Sequence, residues 1–210
     1  MHFTFVGFNF KSSDIEAEER NYFDHHVMLV KGLPGLRQYY TARTMEHRGE
    51  KPSHYRHAVL VFDNAEASGK AFHTPAGPAL MADTQAHLKD LRSNIFDGEI
   101  IVPFENRKPG QKCFVMAAEF NLDKVNPEAA EKRYREHHTS IARRLPGLRN
   151  YMIGKPGANA DRYRIAILAF DSLAAFKDAY RSPVGAELIK DEEETIRDGR
   201  VHRLDARVEI

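Results

Sequence analysis

The stretch LPGLRQY, Leu33 to Tyr39, returns as LPGLRNY, Leu145 to Tyr151, with six of seven residues unchanged. Short turn-forming heptads recur by chance, so the flanks decide what this means. YFDHH (Tyr22 to His26) stands before the first copy and YREHH (Tyr134 to His138) before the second, both at the heptad's offset of 112 residues. Phe8-Asn9 returns as Phe120-Asn121 at that same 112, so no residue is gained or lost over this span. Beyond the heptad, RHAVLVFD (Arg56 to Asp63) matches RIAILAFD (Arg164 to Asp171), and AFHTPAGPAL (Ala71 to Leu80) matches AYRSPVGAEL (Ala179 to Leu188), both at an offset of 108. The chain is therefore an internal repeat, with the intervening loop four residues shorter in the second copy. The copies cover residues 1–104 and 113–210; the polar ENRKPGQK, 105–112, carries Pro and Gly and reads as the linker.

Each copy reads strand, helix, strand, strand, helix, strand. HFTFVGFNF alternates, with Phe3, Phe5 and Gly7 on one face and Val6, Phe8 and Phe10 on the other. A helix follows, capped by Ser13 or Asp14, acidic in its first turn and ended at Gly32. After Pro34-Gly35, LRQYYTAR and HYRHAVLVFD are strands. The second helix is broken at HTPAGP, because Pro75 and Pro78 cannot continue it, and is expected to resume through PALMADTQAHLKDLRSN. EIIVPFE closes the first copy as a strand, and VHRLDARVEI closes the second. The order β-α-β-β-α-β is the ferredoxin-like unit, whose helices cover one face of the sheet. The other face carries apolar residues and needs cover. The expected fold is α+β: two tandem ferredoxin-like repeats forming a pseudo-dimeric α+β barrel.

Composition narrows the function classes. The chain has 210 residues, 31 basic against 30 acidic, which gives no electrostatic case for nucleic acid or an anionic membrane. The lone Cys113 has no internal disulfide partner, as suits a reducing compartment. There is no apolar run of bilayer length, and the start lacks the basic region of a signal peptide. A cytoplasmic protein acting on a small molecule is expected, with homodimerisation left open. No G-x-G-x-x-G or P-loop is present, and GKPGAN, 154–159, is a weak phosphate cradle. His25 and His26 are adjacent on a helix and point apart, so they do not suggest a metal site. No cofactor and no metal are expected.

The pattern Tyr-x-x-x-His, followed by Leu-Pro-Gly-Leu-Arg-x-Tyr starting seven residues after the His, resembles the EthD family of the dimeric α+β barrel superfamily. It departs from that family in lacking the Pro of His-x-Pro in both copies, and in having Tyr22 and Tyr134 where Trp often stands. The resemblance implies a small protein of aromatic, ether or polyketide metabolism. Its relatives act as lyases, dehydratases, cyclases, isomerases or cofactor-free oxygenases, and many have no assigned activity.

Candidate chemistry lies on the first helix of each copy. Tyr22 with His26, and Tyr134 with His138, share a face with aliphatic residues through i, i+4 spacing, which aims them at the sheet. A His there exchanges protons near neutral pH; equally, it can pin the helix by bonding a backbone carbonyl. His25 and His137 are expected to face solvent. Glu119 replaces Gly7 inside an apolar strand and is a candidate general base. Tyr39, Tyr151, His57, His73 and Arg181 are candidate substrate-binding residues; His57 and His73 stand where the second copy has Ile165 and Arg181. The alternatives are convergence of His26, His57 and His73 in the first copy, or of Glu119 and His138 in the second. KDEEETIRDGR, 190–200, reads as a solvated helix face. The favoured reading is a cofactor-independent lyase, dehydratase or isomerase. A cofactor-free or haem-dependent oxygenase, and a non-catalytic binding protein, stand beside it.

Overall fold

The structure, a computed structural model, describes residues 1–47, 49, 51–123, 125–157 and 162–210. It contains two compact units: residues 1–97 with 108–111 and 206–210, and residues 98–107 with 112–205.

The first unit begins with β1 (His2–Phe10) and α1 (Ile15–Asn21). A π turn (Tyr22–His26), α2 (Val27–Lys31), β2 (Leu36–Thr44) and β3 (Arg56–Phe62) follow. Next come α3 (Ala65–Phe72), α4 (Ala76–His87) and β4 (Leu88–Val102), whose residues up to Asp97 belong here. Asp14 caps α1, its carboxylate accepting from the Ala17 N–H. The turn LPGLR reverses the chain into β2 with Gly35 at φ +77°, a left-handed backbone that a side chain would strain. The strand order is β4-β1-β3-β2, antiparallel throughout. Every residue of β3 is buried, so both faces of the sheet are covered. Phe8, Tyr39, Ala58, Leu60 and Phe62 meet Tyr22, Val27, Val30, Ala71 and Leu80 from the helices in one apolar core.

The second unit repeats the plan: β5 (Lys112–Leu122), α5 (Pro127–Arg133), a π turn (Tyr134–His138), α6 (Thr139–Ala142), β6 (Leu148–Pro156), β7 (Arg164–Phe170), α7 (Leu173–Arg181), α8 (Pro183–Thr195) and β8 (Ile196–Val208). Gly147, at φ +72°, serves the same turn, and β7 is again wholly buried. Its pairings with β5 and β6 are antiparallel. No helix among the described residues is long and apolar enough to cross a membrane.

The helix break falls at HTPAGP as expected, and the structure adds its steric reason. A Cβ on Gly77 would collide with the Phe72 carbonyl, and one on Gly185 with the Ala179 carbonyl. Only a residue without a side chain lets the two helical segments fold that closely.

Two boundaries differ from the sequence reading. The second helix was expected to run through HLKDLRSN, yet α4 stops at His87 and the chain turns extended at Leu88 (φ −107°, ψ 147°). Residues Leu88 to Asp97 pair with β1 instead, because a strand with an open edge gains a whole ladder from them. The run KDEEETIRDGR is likewise not one solvated helix face. Asp191 and Thr195 are buried, and the chain becomes strand at Ile196.

Candidate functional site

The segment YFDHH forms a π turn rather than a continuation of α-helix: the Val27 N–H reaches the Tyr22 carbonyl, and in the second repeat the Thr139 N–H reaches that of Tyr134. The Tyr and His rings stack. Their centroids lie 5.1 Å apart at 19° for Tyr22 and His26, and 4.9 Å apart at 18° for Tyr134 and His138. Behind each Tyr sits a guanidinium, Arg56 at 4.7 Å and Arg164 at 5.0 Å from the ring centroid. Arg56 is held by Glu19 at 2.7 Å, and Arg164 is paired with Glu131. A cation, a phenol and an imidazole thus form one layered column in each repeat.

The imidazoles end on carboxylates. His26 Nδ1 lies 2.6 Å from Oδ2 of Asp83 on α4, and His138 Nδ1 lies 2.7 Å from Oδ2 of Asp191 on α8. A carboxylate only accepts, so Nδ1 carries the proton and Nε2 is left with its lone pair. Burial lowers the pKa of both histidines, and the hydrogen bond to the aspartate opposes this in part. Both are therefore neutral bases near pH 7. His26 is 7% exposed and His138 4%, whereas the side chains of His25 and His137 are 60% and 54% exposed, the ranking expected from the helix face. The expectation that adjacent histidines diverge is corrected. His25 Nε2 comes within 3.5 Å of Asp83 Oδ1, and His137 Nε2 within 3.5 Å of Asp191 Oδ1. A π turn rotates less per residue than an α-helix, so neighbours splay less.

In the first unit His26 faces a cavity of about 200 Å³ between the helices and the sheet. Val6, Phe8, Ala58, Leu60, Phe72 and Leu80 make its walls apolar; Tyr39, Thr4, Thr84 and Ser93 bring hydroxyls to it. A cavity of roughly 150 Å³ accepts a benzene ring, so this one suits a substituted one-ring or compact two-ring molecule. Tyr39 is fully buried, its hydroxyl 3.4 Å from that of Tyr22. Burial pushes both phenols up, so they remain protonated donors. Tyr22 backs His26 and Tyr39 and does not itself line the cavity. Tyr134 and Tyr151 are the matching pair, hydroxyls 3.5 Å apart and again raised by burial.

The remaining candidates lie elsewhere. His57 is on the opposite face of β3 from Ala58 and Leu60; it stacks on Phe5 at 4.9 Å and bonds Thr44 Oγ1 at 2.9 Å. His73 is exposed and caps the end of α3, its Nδ1 2.6 Å from the Gly69 carbonyl. The convergence of His26, His57 and His73 is therefore corrected: alternation along the strand separates the first two, and the helix break carries the third to the surface. Arg181 is exposed at the end of α7. Glu119 is 1% exposed, but it meets His202 Nε2 at 3.2 Å and Arg200 at 3.8 Å, not His138. Its counterpart Gly7 leaves room for His57, whose Nε2 would sit 2.9 Å from an added Cβ. Ala158 and Asn159 of GKPGAN lie outside the described residues.

Sequence reading missed Asp83 and Asp191, the carboxylates that set the tautomer. One signal was available: they correspond at the offset of 108 and keep their acid where the surrounding polar residues change, MADTQAH against IKDEEET.

Fold and cleft define an α+β barrel protein with a buried His–Asp pair in each repeat. The family model described as EthD domain matches residues 122–199. An uncharacterized 11.0 kDa protein in the thcB-thcC intergenic region of Rhodococcus erythropolis is 28% identical over 92 residues, 43% of this chain and 89% of its own length. A "putative monooxygenase" of Fusobacterium nucleatum superposes with a TM-score of 0.77 at 12% identity, over 99% of this chain and 93% of its own. One from Lactobacillus acidophilus gives 0.70 at 11%, over 98% and 93%. An anthrone oxidase-like protein gives 0.61 at 12%, over 99% and 93%. At such identities the likeness shows the fold, which is the class expected from the repeat.

Proposed function

We propose that the first repeat is the active site of a cofactor-independent acid–base enzyme acting on a small aromatic or polyketide-like metabolite. The observation that carries this is the His26–Asp83 pair at the wall of an apolar cavity. In this reading His26 Nε2 removes a proton from a hydroxyl or an activated C–H of the bound ring. Asp83 holds the ring's tautomer and stabilises the imidazolium that forms. Tyr39 lends its hydroxyl to the developing anion, and Tyr22 positions both residues from behind. The apolar walls exclude water and strengthen each of these interactions. The net reaction is an isomerisation, dehydration or related elimination. The reading takes 1–104 and 113–210 as repeats with separate clefts, joined by 105–112.

A second reading starts from the same base. The anion it makes from a phenol or hydroquinone is the electron-rich form that reacts with dioxygen. The superposition on proteins described as "putative monooxygenases" and as anthrone oxidase-like supports this cofactor-free oxygenase reading. A panel of substituted naphthols, anthrones and hydroxyketones, assayed with and without oxygen, tests both. Turnover that persists anaerobically supports the acid–base enzyme, and oxygen consumption that matches turnover supports the oxygenase. Ligand binding without turnover in either atmosphere, or turnover unchanged in His26→Ala, overturns the proposal.

A further inference from the structure

The cavity of the first unit is closed at one end and open at the other. His26, Val30, Tyr39, Leu60 and Leu88 form the closed end and are buried. Met81 on α4, with Leu91 and Ser93 on β4, are its exposed lining residues. Met81 is 50% exposed and Leu91 47%. Ile95, 51% exposed, follows Ser93 on the same face of β4 and pairs with Thr4, which also lines the cavity. Uncovered hydrocarbon side chains from α4 and β4 therefore rim the opening, with the base at the far end.

The rim is set by side chains rather than by the backbone. Asp90 enters β4 at φ +53°, its carboxylate accepting from Asn9 Nδ2 at 3.0 Å. The second repeat has the same lock: Asp198, at φ +52°, accepts from Asn121 Nδ2 at 3.3 Å. On that matched strand Gly199 stands for Leu91 and Arg203 for Ile95. Inside, Met116 stands for Thr4, Tyr180 for Phe72 and Glu192 for Thr84. The Tyr180 hydroxyl lies 3.8 Å from Met116 Sδ and donates at 3.4 Å to Glu192, whose pKa burial raises. The small Thr4 and Thr84 thus leave space in the first repeat, and Leu91 and Ile95 give its opening an apolar edge.

The lining also restricts what enters. Among the described residues no Lys, Arg, Asp or Glu lines the cavity. A carboxylate or phosphate carried inside would lose its water without a cation to pair it, whereas a hydroxyl can donate to His26 Nε2. The volume of about 200 Å³ holds one ring or a compact pair. A third ring fused in line with these leaves through the opening and comes to rest on the rim.

We propose that Met81, Leu91 and Ile95 are specificity-determining residues, a platform for the outer ring of an uncharged fused-ring phenol whose hydroxyl donates to His26 Nε2. This rests on the reading of the cavity as the substrate site and adds how the substrate lies, oxygenated end inward and hydrocarbon end out between α4 and β4.

The test is equilibrium binding of 2-naphthol and 2-anthrol, which differ by one ring, to the full chain, by titration calorimetry under argon. The wild-type protein binds 2-anthrol about tenfold more tightly. Leu91→Gly with Ile95→Arg gives β4 the second repeat's residues and brings the two affinities together. Both side chains are exposed, so thermal unfolding stays cooperative. Thr4→Met fills the cavity and weakens both ligands. Naphthalene binds less tightly than 2-naphthol, and His26→Leu removes that difference. Binding in this order without turnover upholds the rim and refutes only the catalytic reading of the cavity. Equal affinities in the wild type, a tenfold preference that survives Leu91→Gly with Ile95→Arg, or full affinity in Thr4→Met overturns the proposal. If that double variant keeps the preference but loses self-association in sedimentation, the rim is a contact between copies of the chain and the proposal falls.

Discussion

Replacing Asp83 by Ala isolates what the carboxylate does for His26. The side chain of Asp83 is 5% exposed and that of His26 9%, so water cannot take over the 2.6 Å bond once the carboxylate is gone. The Nδ1–H is left buried without an acceptor, which costs about 1–3 kcal/mol. The carboxylate also raises the His26 pKa against the lowering effect of burial. Without it, burial acts alone, so the imidazole becomes a still weaker base and loses the group that fixes its tautomer. Turnover in the first repeat should fall by about 10²–10⁴-fold, the usual contribution of a general base. Urea unfolding gives the stability change, and NMR titration of the His26 Cε1–H gives the pKa, which should move further down. A double-mutant cycle of Asp83→Ala with His26→Ala should show a coupling of about 0.5–3 kcal/mol. Asp191→Ala should cost more, because Arg133 and His138 both lose their partner there. A His26 that titrates unchanged in Asp83→Ala, with no coupling in the cycle, would refute the pairing as the source of the base.

Four further outcomes follow from the same geometry. The pKa values of His26 and His138 are lowered in the folded state, so the unfolded chain binds more protons below pH 6.5; their contribution to stability is present above that pH and is lost as pH falls through the folded values. In a Glu192→Gln background, which removes the opposing titration of that carboxyl, urea midpoints measured from pH 7.5 to 5 should decline, and less steeply once His26→Phe and His138→Phe are added. Glu192 has the opposite sign: raised from 4.5 to about 7, it stabilises the fold below pH 4.5 and loses that contribution as pH rises through 7, so Glu192→Gln should unfold at higher urea than the wild type at pH 8.5. Gly77→Ala and Gly185→Ala each drive a Cβ into a backbone carbonyl at the helix break, and each should destabilise by about 1–3 kcal/mol in thermal or urea unfolding. Cys113 is buried with its thiol pushed up to about 12, so it should react with a disulfide reagent only after denaturation.

The repeat was legible in the sequence because two offsets, 112 and 108, hold over long spans and leave one loop to absorb the difference. The order of strands and helices followed from alternation, the Pro-Gly turn and the broken second helix. All of these are local patterns that a chain carries wherever it folds. The burial of His26 and His138 was also local, since the helix face that holds Tyr and aliphatic residues must turn to the sheet. The partner of each histidine was not legible. Asp83 is 57 residues from His26, and Asp191 is 53 from His138. Asp191 also lies within a run of charges that reads as a solvated surface until the packing of α8 buries one side of it. The π turn escaped the reading because one extra residue in a helical turn leaves no mark on a polar–apolar pattern, yet it brings His25 as well as His26 to Asp83. The fate of Glu119, His57 and His73 also depended on tertiary structure. Which face of a doubly buried strand meets the cleft depends on which helix covers it, and hydrophobicity alone does not distinguish two faces that are both buried.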